Sequence, residues 1–304
     1  MERHIPVLLN EVIEALSLKP NANIIDCTLG DGGHSEAILE ITGSNGKIMG
    51  MDADAESLLR AKRYLYRYGD RVIYVRDNFV NLKKAVEENS FKQVDGVLMD
   101  LGWSMPQFFE RGRGFSFNPV NSEGEPLDMR FDTNNSTTAA DIIKNSNKEE
   151  LAGIFKKFGE EKFSREIASA IVTARKKNPI ETTGQLNEII LDVYRTKLQT
   201  EKEVPWVGGL HPATKVYQAL RVAVNRELEM LSMSLPQAIE VLAPQGRLAV
   251  ITFHSLEDRI VKQYFQTLGD KCVVINKKPI IAGEEELKNN PRARSAKLRI
   301  IEKK

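Results

Sequence analysis

Within the first hundred residues, short apolar runs alternate with helix-like segments, and this alternation is the strongest constraint on the fold. Residues 23–28, 46–52, 72–76 and 94–101 are rich in Val, Ile or Met and are bounded by Gly, Asp or Asn, the pattern of buried strands. Between them, 55–68 and 81–88 carry apolar residues at three- and four-residue spacing, which predicts amphipathic helices. Strands that alternate with helices require right-handed crossovers and a mainly parallel sheet.

After Gly102 the pattern changes. Residues 103–135 are rich in Gly, Pro and Asn and read as a long functional loop, and 137–145, 147–158, 160–178 and 184–197 then read as consecutive helices. Ser146 with Glu149 predicts a capping box, and Pro179 a stop. Helices predicted at 213–233 and 235–243 lead to a fifth strand at 246–253, and 271–277 with 296–302 supply an antiparallel closing pair. The fold class is therefore α/β, a Rossmann-like sheet with an inserted helical domain. The expected boundaries are 1–104 and 213–304 for the sheet domain and 105–212 for the insertion. An exposed loop tolerates such an insertion without loss of the core.

Composition excludes several classes. With 304 residues, 41% apolar and 28% charged, the chain has the makeup of a globular protein. No apolar stretch reaches the ~18 residues of a membrane span. The N-terminus carries Glu2, Glu11 and Glu14 where a secretion signal is apolar. Two cysteines, Cys27 and Cys272, support neither a disulfide framework nor a thiolate metal site, so a cytoplasmic location and no metal are expected. The net charge is only +1, but the last 17 residues, KNNPRARSAKLRIIEKK, hold seven basic residues against one acid. Such a tail is either a solvated terminus or a set of charges displayed on a folded edge.

The strand ends carry the chemistry. In 23–39, NIIDCTLGDGGHSEAIL, Gly30 and Gly32 fill the first two positions of a dinucleotide loop, but Ser35 stands where its third glycine belongs. Asp26 precedes Gly30 by four residues, and this acid-then-glycine order is typical of S-adenosylmethionine (SAM) sites, where a carboxylate meets the cationic amino-acid part of the ligand. Asp52, after the second strand, suits both ribose hydroxyls, and Phe79, after the third, could cover the adenine. The helix, Pro-x-Gly turn and fifth strand of VLAPQGRLAVITF accompany such sites. Each piece alone has a bland alternative, a turn or a helix cap. NAD is the lesser candidate because the third glycine is missing.

The fourth strand runs into DLGWSMPQ, residues 100–107, where substrate must enter beside the cofactor. At this point the sequence resembles the ribosomal RNA small-subunit methyltransferase H family. The resemblance runs through HIPVLLNEVIEAL, DCTLGDGGHSEAIL, DLGWSMPQ, RGFSF, PLDMRFD, HPATKVYQALRVAVNRELE, FHSLEDRIVK and NPRARSAKLR. It implies methyl transfer from SAM to the N4 amine of a cytidine in the decoding region of 16S ribosomal RNA, within the small subunit. It also implies SAM contacts at Gly32, Gly33, His34, Asp52, Phe79, Asp100 and Gln107, beside the Asp26 and Gly30 read from the loop. Two departures stand out: Met105 replaces the second serine of the usual D-L-G-x-S-S-x-Q, and the loop NPVNSEGE is longer than expected.

Direct in-line transfer without a covalent intermediate is the expected mechanism, with Asp100 and Ser104 as acceptors for the amine. Trp103 either stacks on the base or packs in the core. Candidate RNA contacts are Arg111, Arg113, Arg130, Arg221, Arg226, Arg292 and Arg294. Arg221 and Arg226 could equally pair with neighbouring glutamates, and His254 could be a satisfied residue at a strand end. A protein- or small-molecule-directed methyltransferase, a non-catalytic RNA-binding module and a dehydrogenase are the competing readings. The oligomeric state stays open, a homodimer included.

Overall fold

The computed structural model describes residues 5–102, 112–116, 124–200, 204 and 210–304. The chain divides into two compact units, 1–104 with 228–304 and 105–227.

The first unit is built on a seven-stranded sheet of order β3-β2-β1-β4-β5-β7-β6. Its strands are β1 (Asn23–Asp26), β2 (Ile48–Met51), β3 (Val72–Val75), β4 (Val94–Asp100), β5 (Leu242–Thr252), β6 (Cys272–Val274) and β7 (Lys297–Lys303). The β1, β2, β3, β4 and β5 pairings are parallel, and β7 runs antiparallel to both β5 and β6. A parallel sheet must be covered on both faces, which is why these strands lack a polar side. Alternate residues divide between two cores: Ile24, Leu98, Ile251 and Ile300 face one, and Ile25, Val97, Met99 and Val250 face the other.

The first core is covered by α1 (Leu9–Leu16), α2 (Gly33–Ile41) and α3 (Ala55–Tyr64). The second is covered by α4 (Leu82–Glu88) and by residues such as Leu231, Leu235, Val261 and Phe265. The predicted 55–68 helix is shorter than expected. Its last turns become a 3₁₀ segment, Tyr66–Arg71, interrupted at Gly69 with φ 53°. The fifth strand begins earlier than 246, because the Pro-x-Gly turn is absorbed as a bulge in β5. Val94 pairs with Leu242, yet Gly96 already pairs with Arg247.

The second unit is mainly helical: α5 (Ala139–Asn145), α6 (Lys148–Gly159), α7 (Ser164–Ala174), α8 (Thr183–Leu198) and α9 (Thr214–Asn225). Three sequence expectations are corrected here. The capping box uses Asn147 and Glu150, not Ser146 and Glu149, because the Ser146 N–H is already engaged by Ile142 O at the end of α5. The break expected near residue 234 falls instead at Arg226, in the left-handed region with φ 51°. Pro236 is carried inside α10 (Glu227–Val241). Helix α9 lies with the second unit, whereas the sequence reading placed residues from 213 onward with the sheet. A side chain at Gly159 of α6 would strike the Lys215 carbonyl and stand 3.2 Å from Ala219 Cβ, so the two helices touch backbone to backbone.

In the first unit, α11 (Ser255–Thr267) follows β5, and α12 (Glu284–Asn289) precedes a 3₁₀ turn at Pro291–Ser295. No described helix is long and apolar enough to cross a membrane.

Candidate active site

Strand order reverses between β1 and β4, since β1 leads outward to β2 and β3 while β4 leads to β5. Ligands of open α/β sheets bind outside the carboxyl ends of the strands at such a switch point. Asp26 ends β1 and Asp100 ends β4, so both carboxyl groups stand at that crevice.

A short chain of hydrogen bonds fixes them. Thr28 N–H donates to Asp26 Oδ1 at 3.1 Å, and Asp100 N–H donates to Thr28 Oγ1 at 2.7 Å. The hydroxyl of Ser35 donates to Asp26 Oδ2 at 2.7 Å. The residue that replaces the third glycine therefore has a task, holding the buried carboxylate of Asp26. Burial raises the Asp26 pKa above the usual carboxylate value, and the Ser35 hydrogen bond and the neighbouring His34 oppose that rise.

The glycine loop is shaped by close approach. Gly30 and Gly32 have φ of 52° and 77°, which only glycine adopts readily. Gly33 lies against Pro6 with no room for a side chain. Gly30 N–H donates to Asp52 Oδ2 at 2.9 Å, and Asp54 N–H to Asp52 Oδ1 at 2.8 Å. Burial pushes the Asp52 carboxyl up to about 7 despite these two donors. Phe79 opens a 3₁₀ turn after β3 and packs half-buried against the second core.

His34 lies in the first turn of α2, with its imidazole Nε2 3.6 Å from Asp100 Oδ2. Neither ring nitrogen of His34 has a hydrogen-bond partner among the described residues, and neither does Asp100 Oδ1. Unmatched buried polar atoms are uncommon in folded proteins, and a cluster of them at a switch point marks a ligand site. The nearby Cys27 is buried and free, and desolvation raises its thiol well above the ordinary value. Cys272 is raised by burial too, so neither cysteine is a ready thiolate nucleophile.

The structure thus brings together Asp26, Gly30, Gly32, Gly33, His34, Asp52 and Asp100. Trp103, Ser104, Met105, Gln107 and Arg111 lie outside the described residues. Sequence reasoning missed the roles of Thr28 and Ser35: Thr28 links the ends of β1 and β4, and Ser35 holds Asp26. A hydroxyl two residues after the strand-end acid was the available signal for Thr28.

The sequence profile of the MraW methylase family matches residues 1–304. The chain belongs to the MraW methylase family. Proteins named ribosomal RNA small subunit methyltransferase H are similar to this MraW family member along its length. That of Brevibacillus brevis is 44% identical, covering 99% of this chain and 98% of its own. That of Halothermothrix orenii is 42% identical over 100% and 99%. A methylase of this family is a SAM-dependent methyltransferase, and the site fits that donor. SAM carries a cationic sulfonium and ammonium, and Asp26, Asp52 and Asp100 present carboxyl groups at neighbouring strand ends.

The expected RNA contacts separate into two groups. In the second unit, Arg113 Nη1 donates to the carbonyl of Arg130 at 2.9 Å. Arg130 forms a two-pronged pair with Asp128 at 2.7 and 2.8 Å and also donates to the carbonyls of Thr133 and Asn135. Arg221 is buried and forks onto Glu227 at 2.9 and 3.0 Å, the glutamate pairing left open by the sequence. Asn225 adds to this scaffold, accepting from Phe131 N–H and donating to Met129 O. The motifs RGFSF, PLDMRFD and KVYQALRVAVN are therefore assembled with one another. In the first unit, His254 caps α11: its Nδ1 accepts from Glu257 N–H, and Glu257 Oε2 accepts from the Phe253 and His254 N–H groups. Its Nε2 lies 3.2 Å from Glu257 Oε1 but out of line for a hydrogen bond. Arg292 is half-buried without a charged partner among the described residues, and Arg294 is exposed.

Proposed function

We propose that the protein transfers the methyl group of SAM to the N4 amine of a cytidine in 16S ribosomal RNA of the small subunit. The relatives named above support RNA of the small subunit as the substrate class. The observation that carries the amine is Asp100: a carboxylate on the switch-point strand with one oxygen unmatched among the described residues.

The bound donor supplies an electrophilic methyl whose leaving group departs neutral. The protein has alignment and charge placement left to provide. An exocyclic amine on cytosine is a poor nucleophile because its lone pair is delocalised into the ring. An acceptor for its N–H groups favours the geometry in which the lone pair faces the methyl and offsets the positive charge that grows on nitrogen. Asp100 Oδ1 is such an acceptor, with Ser104 as a second. Asp52 accepts from the ribose hydroxyls, Phe79 covers the adenine, and Gly32, Gly33 and His34 line the amino-acid end. The high thiol pKa of Cys27 agrees with direct transfer. A target base in folded RNA must leave its stack to reach this crevice. The second unit, 105–227, is assigned to substrate recognition.

Tritium transfer from labelled SAM to purified small subunits, followed by nucleoside analysis, tests the reading. The expected product is labelled N4-methylcytidine. Label in another nucleoside, or in ribosomal protein, would overturn the substrate assignment.

A further inference from the structure

His34 is 7% exposed, yet both of its ring nitrogens lack partners among the described residues. Burying an imidazole this way is unfavourable unless something else satisfies it, so the described residues alone do not explain it. Asp100 Oδ2 stands 3.6 Å from Nε2, a few tenths of an ångström beyond a hydrogen bond.

Asp100 is held from the backbone side. The Thr28 and Ser35 hydrogen bonds described above join it to Asp26 and to α2. His34 and Ser35 are consecutive in that helix. One side chain faces Asp100, and the next grips Asp26, so a single turn of α2 governs both carboxyl groups at the switch point. Among the described residues, the charged groups facing the imidazole are Asp26 from β1 and Asp100 from β4.

We propose that His34 is a positioning residue for methyl transfer: its Nε2–H closes onto Asp100 Oδ2 when the site fills, turning Oδ1 toward the attacking amine. The inference rests on the reading of Asp100 as the amine's acceptor. The amine nitrogen bonds to the methyl carbon as the carbon–sulfur bond breaks, and that bond's electron pair stays on sulfur. One amine proton passes to Asp100 Oδ1 and from there to water, while His34 keeps its Nε2 proton throughout. A neutral imidazole suits this place better than lysine or arginine. A permanent cation would make the Asp100 carboxylate less basic and would repel a cationic methyl donor. The hydrogen on Nε2 leaves Nδ1 as an acceptor, which fixes the tautomer.

The coupling can be read without turnover. Nitrogen-15 NMR of the histidines, with His34→Gln to assign the signal, gives the His34 tautomer. Asp100→Asn is expected to weaken the spectral change that S-adenosylhomocysteine produces in the wild type, because the anionic acceptor for Nε2–H is gone. Saturation with S-adenosylhomocysteine is expected to shift the wild-type spectrum to the Nε2–H tautomer. In single turnover at saturating SAM on small subunits, His34→Gln is expected to slow transfer about tenfold or more, with a smaller change in SAM affinity. The double variant His34→Gln/Asp100→Asn should be no slower than Asp100→Asn alone, because both changes remove one arrangement. An undiminished spectral change in Asp100→Asn, or losses that multiply in the double variant, would overturn the proposal. Failure of the amine reading itself shows separately, as a different labelled nucleoside with the NMR coupling intact.

Discussion

Asp52 shows how burying one carboxyl can act against folding. Its carboxyl accepts two backbone N–H groups, yet desolvation outweighs them and pushes it up to about 7. The native state therefore holds a proton that the unfolded chain, with an ordinary carboxylate pKa near ~3.9, releases. Stability from this group is greatest at low pH and falls as pH rises from about 4 to about 7. Asp52→Asn is expected to remove that fall, visible as a flatter dependence of the urea midpoint on pH between 5 and 8. Donor binding should run the opposite way if the ionised carboxylate accepts the ribose hydroxyls. Calorimetry should show SAM affinity about tenfold higher at pH 8 than at pH 6, following the ionised fraction, and no such gain in the Asn variant. Equal pH slopes for the two proteins would remove Asp52 from the ribose. At this scale Asp26, Asp52, Asp100 and the loop glycines were readable because strand-end acids and glycine turns have a fixed place in the pattern. His34, Thr28 and Ser35 were not assigned these roles because a side chain's partner across the sheet depends on strand order, which spacing does not encode.

The elements explain why two long motifs near the C-terminus look functional in sequence. In FHSLEDR, Phe253 packs its ring 3.0 Å from where a Gly102 Cβ would stand, and His254 with Glu257 caps α11. Asp258 takes a buried fork from Arg299 of β7, with Nε–Oδ1 2.6 Å and Nη2–Oδ2 3.2 Å, so NPRARSAKLR is tied to FHSLEDR by an ion pair. His254→Ala is expected to lose about 1 kcal/mol in urea denaturation, and His254→Asn to retain most of it, because asparagine is a good cap. If His254 also held RNA, the Asn variant would stay stable but bind RNA poorly. Asp258→Ala leaves a buried guanidinium unmatched and is expected to cost about 3–5 kcal/mol. Replacing the pair together, as Asp258→Leu/Arg299→Met, should recover much of that loss, and a double variant as unstable as the single would contradict it. Element types were legible from periodicity, whereas their ends were not. Ser146 and Asn147 both satisfy the capping pattern with Glu149 and Glu150, and only the end of α5 decides between them.

For the whole molecule, the sequence separates an alternating α/β part from a helical part but misplaces the return point. Residues 213–225 have the apolar period of a packed helix. Periodicity says which face is buried, not which core receives it. The glycine contact between α6 and α9 assigns it to the second unit. The same limit applies to charge. Of seven arginines read as phosphate contacts, Arg113, Arg130 and Arg221 commit donors to carbonyls and carboxylates of their own unit. Arg292 and Arg294, on the turn Pro291–Ser295, have no such partners among the described residues, and burial disfavours the Arg292 charge with no anion to offset it. An RNA phosphate would supply that anion. Changing both to Ala is expected to weaken binding to small-subunit RNA and to reduce the slope of log affinity against log salt by about 1–2, the release of counterions at two phosphates. SAM affinity, governed by the strand ends of the sheet, should stay within about twofold, because it depends on none of these contacts. A salt slope that matches the parent protein would show that the tail serves the fold alone and that the RNA path runs elsewhere.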